Sequence, residues 1–240
     1  IAGGLYAVGA TAEVPYYSSA AAADIADAIA DGVIIVAAAG NEYQLIDTPT
    51  GLDYNNTFIA GYGGADYLWY SHRGTAPGSA PGVICVGAVG STVSETKATF
   101  SNTGPRIDIF APGRYIISSL NYGGVSDTRS SGTTYYLAKY SGTSMASPQV
   151  AGVAACILEQ NPHWTQQQLK DFLLGSATID QLGDTGGGAG DSTALQDAPN
   201  RYLFLRKDRP DTGVSIPRNN QGLRPTTGQT WPRPKIYRYG

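Results

Sequence analysis

Histidine, cysteine and methionine are almost missing from this chain: 240 residues hold two, two and one of them. Two cysteines exclude a disulfide framework, and no Cys/His spacing suits a metal site. Cys85 and Cys156 both fall in apolar stretches and read as buried free thiols rather than as a bridge. Charge is scarce as well, at 15% of residues with a net −3, against roughly a quarter in an average domain. No apolar run approaches the ~20 residues of a membrane helix, so no membrane partner is expected. No secretory leader is visible at Ile1, although a chain opening inside a domain would show none. The 42% apolar content supports one sizeable globular domain with extensions.

The most informative segment is Ser141-Gly142-Thr143-Ser144-Met145-Ala146-Ser147-Pro148, which runs into the apolar stretch Gln149–Leu158. The stretch reads as a buried helix and sets Ser144 at its start, where the macrodipole favours negative charge. A serine hydroxyl needs that kind of placement, and a neighbouring base, to become a nucleophile.

This segment resembles the nucleophile motif of subtilisin-like serine proteases. Val33–Glu42 resembles the family's strand ending in the oxyanion-hole asparagine, which gives Asn41 that role and makes Ala38, Ala39 and Gly40 cleft residues. Pro81–Val89, Thr99–Asn102 and Ile107–Gly113 resemble the segments that follow, and Ala198–Leu203 is similar to the end of proteinase K-type domains. Ile1-Ala2-Gly3-Gly4 resembles the Gly-Gly edge of the substrate cleft, so Gly3 and Gly4 join the candidate substrate-binding residues. The likeness covers about residues 1–206. It implies an α/β fold with a parallel sheet in three layers and a protein or peptide substrate. Calcium is common in the family, yet no ligand set can be carried over, so no metal or other cofactor is assigned. The resemblance also implies an extracellular setting.

The family's catalytic aspartate and histidine precede the asparagine in chain order, and the chain has no match for either. His72, in Ser71-His72-Arg73-Gly74-Thr75, echoes the histidine motif but sits in a polar loop. His163 lies between two helices. Asp184-Thr185-Gly186 and Asp211-Thr212-Gly213 spell the aspartate motif, but neither closes an apolar strand. Without the pair Ser144 stays protonated and inert, so the chain alone is expected to be inactive. The fold is expected to be incomplete on its N-terminal side, with about three sheet strands visible and an N-terminal half or neighbouring subunit as partner.

Local patterns predict a helix over Ser19–Ala30 stopped by Gly32, strands over Val33–Ala38 and Val83–Val89, and a capping box at Thr165–Gln168 opening a helix that ends near Gly175. Residues 42–79 form a Tyr/Gly-rich insertion, read equally as a recognition loop or a packed surface loop. From Arg201 onward nine Lys/Arg face two Asp (net +7), against seven Lys/Arg and seventeen Asp/Glu (net −10) before it. Residues 207–240 carry Pro210, Pro217, Pro225, Pro232 and Pro234 and read as an extended arm. An acidic surface is its natural dock. Nucleic acid is disfavoured because the positive charges are spread out. Two functions follow: a subtilisin-type endopeptidase unit, or an inert subtilisin-like subunit of a virion or surface layer.

Overall fold

Helix α1 (Ser19–Ala30) is mostly alanine, the best helix former, and follows the short strand β1 (Glu13–Val14). It closes as a Schellman motif: Gly32 takes φ +88°, its N–H donates to Ile29 O (3.0 Å), and Val33 N–H donates to Ala28 O (2.9 Å). In the computed structural model the described residues are 13–14, 19–62, 65–90, 95–120, 125–127, 135–184, 186 and 192–204. The chain divides into two units, Ile1–Arg206 and Lys207–Gly240. The arm, together with Gly3 and Gly4, lies outside the described residues.

The central sheet grows from β2 (Val36–Ala38), which pairs in parallel with β5 (Ile84–Val89); β5 pairs in parallel with β6 (Ile109–Pro112). Beyond β6 lie two short strands, β11 (Arg201–Tyr202), parallel, and β10 (Thr178–Ile179), antiparallel. Among the described residues the sheet therefore has five strands, in the order β10-β11-β6-β5-β2, where about three were expected. β10 and β11 are only two residues long, too short to carry a periodicity. β2 is also shorter than expected. The side-chain amide of Gln166 takes the main-chain N–H and O of Ile35 (2.9 Å each), doing locally what a neighbouring strand would do.

All six residues of β5 are buried, so its run is apolar without alternation. Its two faces feed separate cores. Ile84, Val86 and Ala88 pack with Ile109 against α2 (Thr143–Gln160) and α3 (Gln166–Ser176), through Val150, Ala154, Leu169 and Leu173. Cys85 and Val89 pack on the other side with Ile107, Phe110, Leu182 and Leu195. Ala37 and Val83 meet Ile25 and Ile29 of α1. The result is helices on both faces of a mostly parallel sheet. Each large apolar side chain so buried contributes about 1.5–3 kcal/mol. α3 begins with the full capping box at Thr165 and Gln168.

Two smaller sheets stand apart. Within the 42–79 insertion, β3 (Phe58–Tyr62) and β4 (Ala65–Trp69) form an antiparallel pair, and β1 joins β4 in parallel. The third sheet has the order β7-β9-β8, with β7 (Ile116–Leu120), β8 (Val125–Asp127) and β9 (Tyr135–Tyr140) all antiparallel. It leads directly into α2.

The two thiols part company. Both are free, but Cys156 is exposed, against the expectation, because α2 turns Gly152 and Cys156 to solvent. Cys85 is fully buried and its pKa is pushed up to about 12, chiefly by burial, against the opposing pull of Arg106. Ellman's reagent at pH 8 is therefore expected to find one fast thiol in the native chain and two in denaturant. Two fast native thiols would refute this placement of Cys85. The same burial has a pH consequence: the unfolded thiol ionises near its ordinary 9 and the folded one near 12. The contribution is complete below pH 9 and falls as pH rises through that window, since the folded state then holds the extra proton.

Candidate active site

Ser144 is the second residue of α2 and is exposed, while its neighbours Gly142 and Thr143 are buried. The turn is fixed from several sides. Gly142 N–H donates to Gly113 O (2.8 Å), which ties the helix start to the loop after β6. A Cβ on Gly113 would run into Ala88 and the Gly142 carbonyl, so the contact demands glycine. Pro148 lacks the N–H that would bond the Ser144 carbonyl. The Gln149 side-chain amide instead bridges Met145 O (3.0 Å) and Pro112 O, clamping the first turn to the sheet.

Asn41 reaches this turn from the end of β2. Its Oδ1 accepts both the Thr143 N–H (2.8 Å) and the Thr143 hydroxyl (3.0 Å), and the Thr143 Oγ1 in turn accepts the Gly40 N–H (3.2 Å). Three bonds thus lock the Gly40-Asn41 loop onto the start of α2 across a sequence separation of about a hundred residues. With Oδ1 engaged, the Asn41 amide has one orientation, and its Nδ2 makes no hydrogen bond among the described residues. A Cβ placed on Gly142 would stand 3.5 Å from that Nδ2, so the donor lies beside the turn that carries Ser144. The sequence offered Ser144 and Asn41 as candidates but not Thr143, the residue that joins them.

Asn102 was missed as well. Its Nδ2 donates to Ala39 O (2.9 Å) and Glu42 Oε2 (3.0 Å), and its Oδ1 accepts from the N–H groups of Glu42 (3.1 Å) and Gln44 (2.9 Å). One buried side chain therefore shapes the whole 39–44 loop. Gly40 takes φ +105°, and a Cβ there would collide with Asn102 Nδ2, so both the torsion and the space require glycine. Ala39 is buried, while Ala38 and Gly40 are half-buried beside Asn41.

The candidates set aside in the sequence remain apart from this turn. His72 lies in the short 3₁₀ turn Ser71–Arg73, its Nδ1 2.9 Å from Asp53 O. His163 is exposed between α2 and α3. Neither histidine bonds to Ser144. Asp184 Oδ1 accepts the N–H groups of Gly186 (3.1 Å) and Leu195 (3.2 Å), a loop-pinning role; Asp211 lies outside the described residues. Among the described residues no group of three or more His, Cys, Asp or Glu converges as a metal site. Among the described residues no helix is long and apolar enough to cross a membrane.

Residues 6–222 match the model of the subtilase family, Peptidase_S8, and the chain belongs to that family. It is similar to subtilisin E of Bacillus subtilis, 37% identical over 164 residues, which is 68% of this chain and 33% of that protein. It is 38% identical over 125 residues to an extracellular protease of Xanthomonas campestris, covering 52% of this chain and 20% of the relative. The structure resembles that of a cold-adapted subtilisin-like serine proteinase, with TM-score 0.54 and 27% identity over 80% of this chain and 52% of the other. The chain thus has a subtilisin-like α/β fold and spans about a third of the subtilisin it matches.

Proposed function

We propose that this chain is the nucleophile-bearing part of a subtilisin-type serine endopeptidase. Ser144 attacks the scissile carbonyl of a polypeptide, and Asn41 Nδ2 with the Ser144 N–H stabilises the tetrahedral oxyanion. The observation that carries this reading is the Asn41–Thr143–Gly40 hydrogen-bond clip, which presents an unspent amide donor beside an exposed serine at a helix N-terminus. Ala38, Ala39 and Gly40 line the cleft on one side, and the family resemblance adds Gly3 and Gly4 as substrate-binding residues.

Ser144 transfers its proton to a histidine held by an aspartate, and both come from an N-terminal portion or a partner polypeptide; without them the chain is inactive. The place for that polypeptide is suggested by β2, the last strand on its side of the sheet among the described residues. Beside it runs an open groove of about 290 Å³ lined by Ile34, Val36, Ala151, Ala154, Ala155 and Leu158. Apolar residues along an unpaired parallel edge favour a covering strand and helix. The named extracellular relative supports secretion as the setting.

Fluorophosphonate labelling of the native source material, read by peptide mapping, tests this. Ser144 is expected to be modified selectively, with no modification when the protein is denatured before the reagent is added, and the isolated chain is expected to label only at background. A native preparation in which Ser144 stays unmodified, beside a reactive subtilisin control, would instead support an inert structural subunit.

A further inference from the structure

Next to Ser144 the third sheet gathers positive charge that nothing described neutralises. Tyr115 precedes β7, and its N–H donates to Ser141 Oγ (2.9 Å), so its position is stitched to the strand end that leads into α2. The Arg114 guanidinium carbon lies 5.0 Å and the Lys139 Nζ 4.8 Å from the centroid of the same Tyr115 ring. Neither cation has a carboxylate partner among the described residues. Tyr115 itself is about half exposed and holds φ +58°, a left-handed backbone that is rare for a bulky residue. The ring attracts both cations, so one exposed residue carries two positive charges that an anionic ligand would meet together.

The setting is that of a side-chain subsite. Ile117 pairs with Lys139 across β7 and β9, so the two share a face. Ile117 is 65% exposed, which sets an apolar side chain beside Lys139 on that face. Ser141 and Ser144 are three residues apart, at most about 11 Å along the chain. An extended substrate advances about 3.3 Å per residue. A side chain bound over Tyr115 thus belongs to a residue a few positions from the bond at Ser144, and the scan below covers four on each side.

We propose that Arg114, Tyr115 and Lys139 form a subsite for an acidic side chain of the polypeptide substrate, close to the scissile bond. The inference rests on the peptidase reading of Ser144. The two cations supply the charge, and the Tyr115 ring and Ile117 receive the methylene stem.

The test uses enzyme from the native source whose Ser144 takes the fluorophosphonate label, and one peptide sequence with Glu or Gln scanned over the four positions on each side of the cut bond. The readout is the Glu/Gln ratio of kcat/KM, which cancels any general loss of activity. At one position Glu is expected to be favoured about three- to tenfold, as two exposed charge contacts allow, and the preference should shrink in high salt. In the R114E/K139E variant it is expected to reverse towards Lys. A ratio near one at every position, or a preference that R114E/K139E leaves intact, overturns the subsite and leaves the peptidase reading standing. Absence of both labelling and cleavage overturns the peptidase reading and takes the subsite with it. A Ser144→Ala protein, read by fluorescence anisotropy, should bind the favoured Glu peptide more tightly than its Gln twin; equal binding counts against the proposal independently of turnover.

Discussion

Asn41→Ala is expected to lower kcat of the native enzyme about 10²–10³-fold with little change in KM, the scale for removing one oxyanion-hole donor. The geometry explains why the loss falls on the transition state. Asn41 Oδ1 is occupied by two bonds from Thr143, so Nδ2 is held in place before any substrate arrives. A fixed donor needs no reorganisation as charge develops on the carbonyl oxygen. Alanine also removes the clip, and two further variants separate the effects. Asn41→Asp keeps an acceptor for Thr143 but removes the amide donor and adds a negative charge, so its loss should be at least as deep. Thr143→Val keeps the backbone bond to Asn41 and removes only the hydroxyl, so its loss should be smaller and accompanied by lower stability as the Gly40 N–H goes unpaired. Wild-type kcat in Asn41→Ala would show that the oxyanion is stabilised by other groups.

The site was legible in the sequence where its chemistry sits on consecutive residues. Ser144 lies in an unbroken motif, and Asn41 closes an apolar strand, so both could be placed without a structure. The capping box of α3 and the Gly32 stop of α1 are equally local, and both form with the expected residues. What joins Asn41 to Ser144 was hidden, because the Thr143 hydroxyl has meaning only once two segments a hundred residues apart meet. Asn102 is the same case: nothing in Phe100-Ser101-Asn102 announces that it braces the 39–44 loop. Lys97 is 1% exposed and donates to the carbonyls of Ala98, Ser101 and Ser192, a burial that its sequence neighbours do not announce. The β3–β4 hairpin did carry a local signal, Gly63-Gly64 between two β-prone runs. The third sheet carried less, since β7 alternates only weakly between half-buried and exposed residues. Cys156 was misplaced because alanine, glycine and cysteine score as apolar on either face of a helix.

Asp108→Ala is expected to be the most destabilising single change in the fold, about 3–5 kcal/mol, the range for removing one partner from a buried ion pair. Asp108 Oδ2 accepts the Cys85 N–H (2.8 Å) and Arg106 Nη1 (3.0 Å), while Oδ1 sits 2.8 Å from Lys170 Nζ. The three side chains are only 8%, 14% and 15% exposed for Arg106, Asp108 and Lys170, so water screens them weakly. Arg106 Nη2 also donates to Ala80 O and Val83 O (3.0 Å each), and Lys170 reaches Val83 O at 3.4 Å. One carboxylate thus joins β5, the entry to β6 and helix α3. Its oxygens and those carbonyls are the kind of set a hard cation takes, but the chain's own guanidinium and ammonium fill it. Removing Asp108 leaves two cations facing each other with an unpaired Cys85 N–H. Removing Lys170 leaves Asp108 still bonded to Arg106 and to the main chain. Lys170→Met should therefore cost clearly less than Asp108→Ala. At about 2–4 °C per kcal/mol for a domain of this size, the Asp108→Ala midpoint should fall by about 6–20 °C in thermal unfolding followed by circular dichroism. If Lys170→Met proves equal or worse, the balance of the network lies with the cation on α3 rather than with the carboxylate on the sheet.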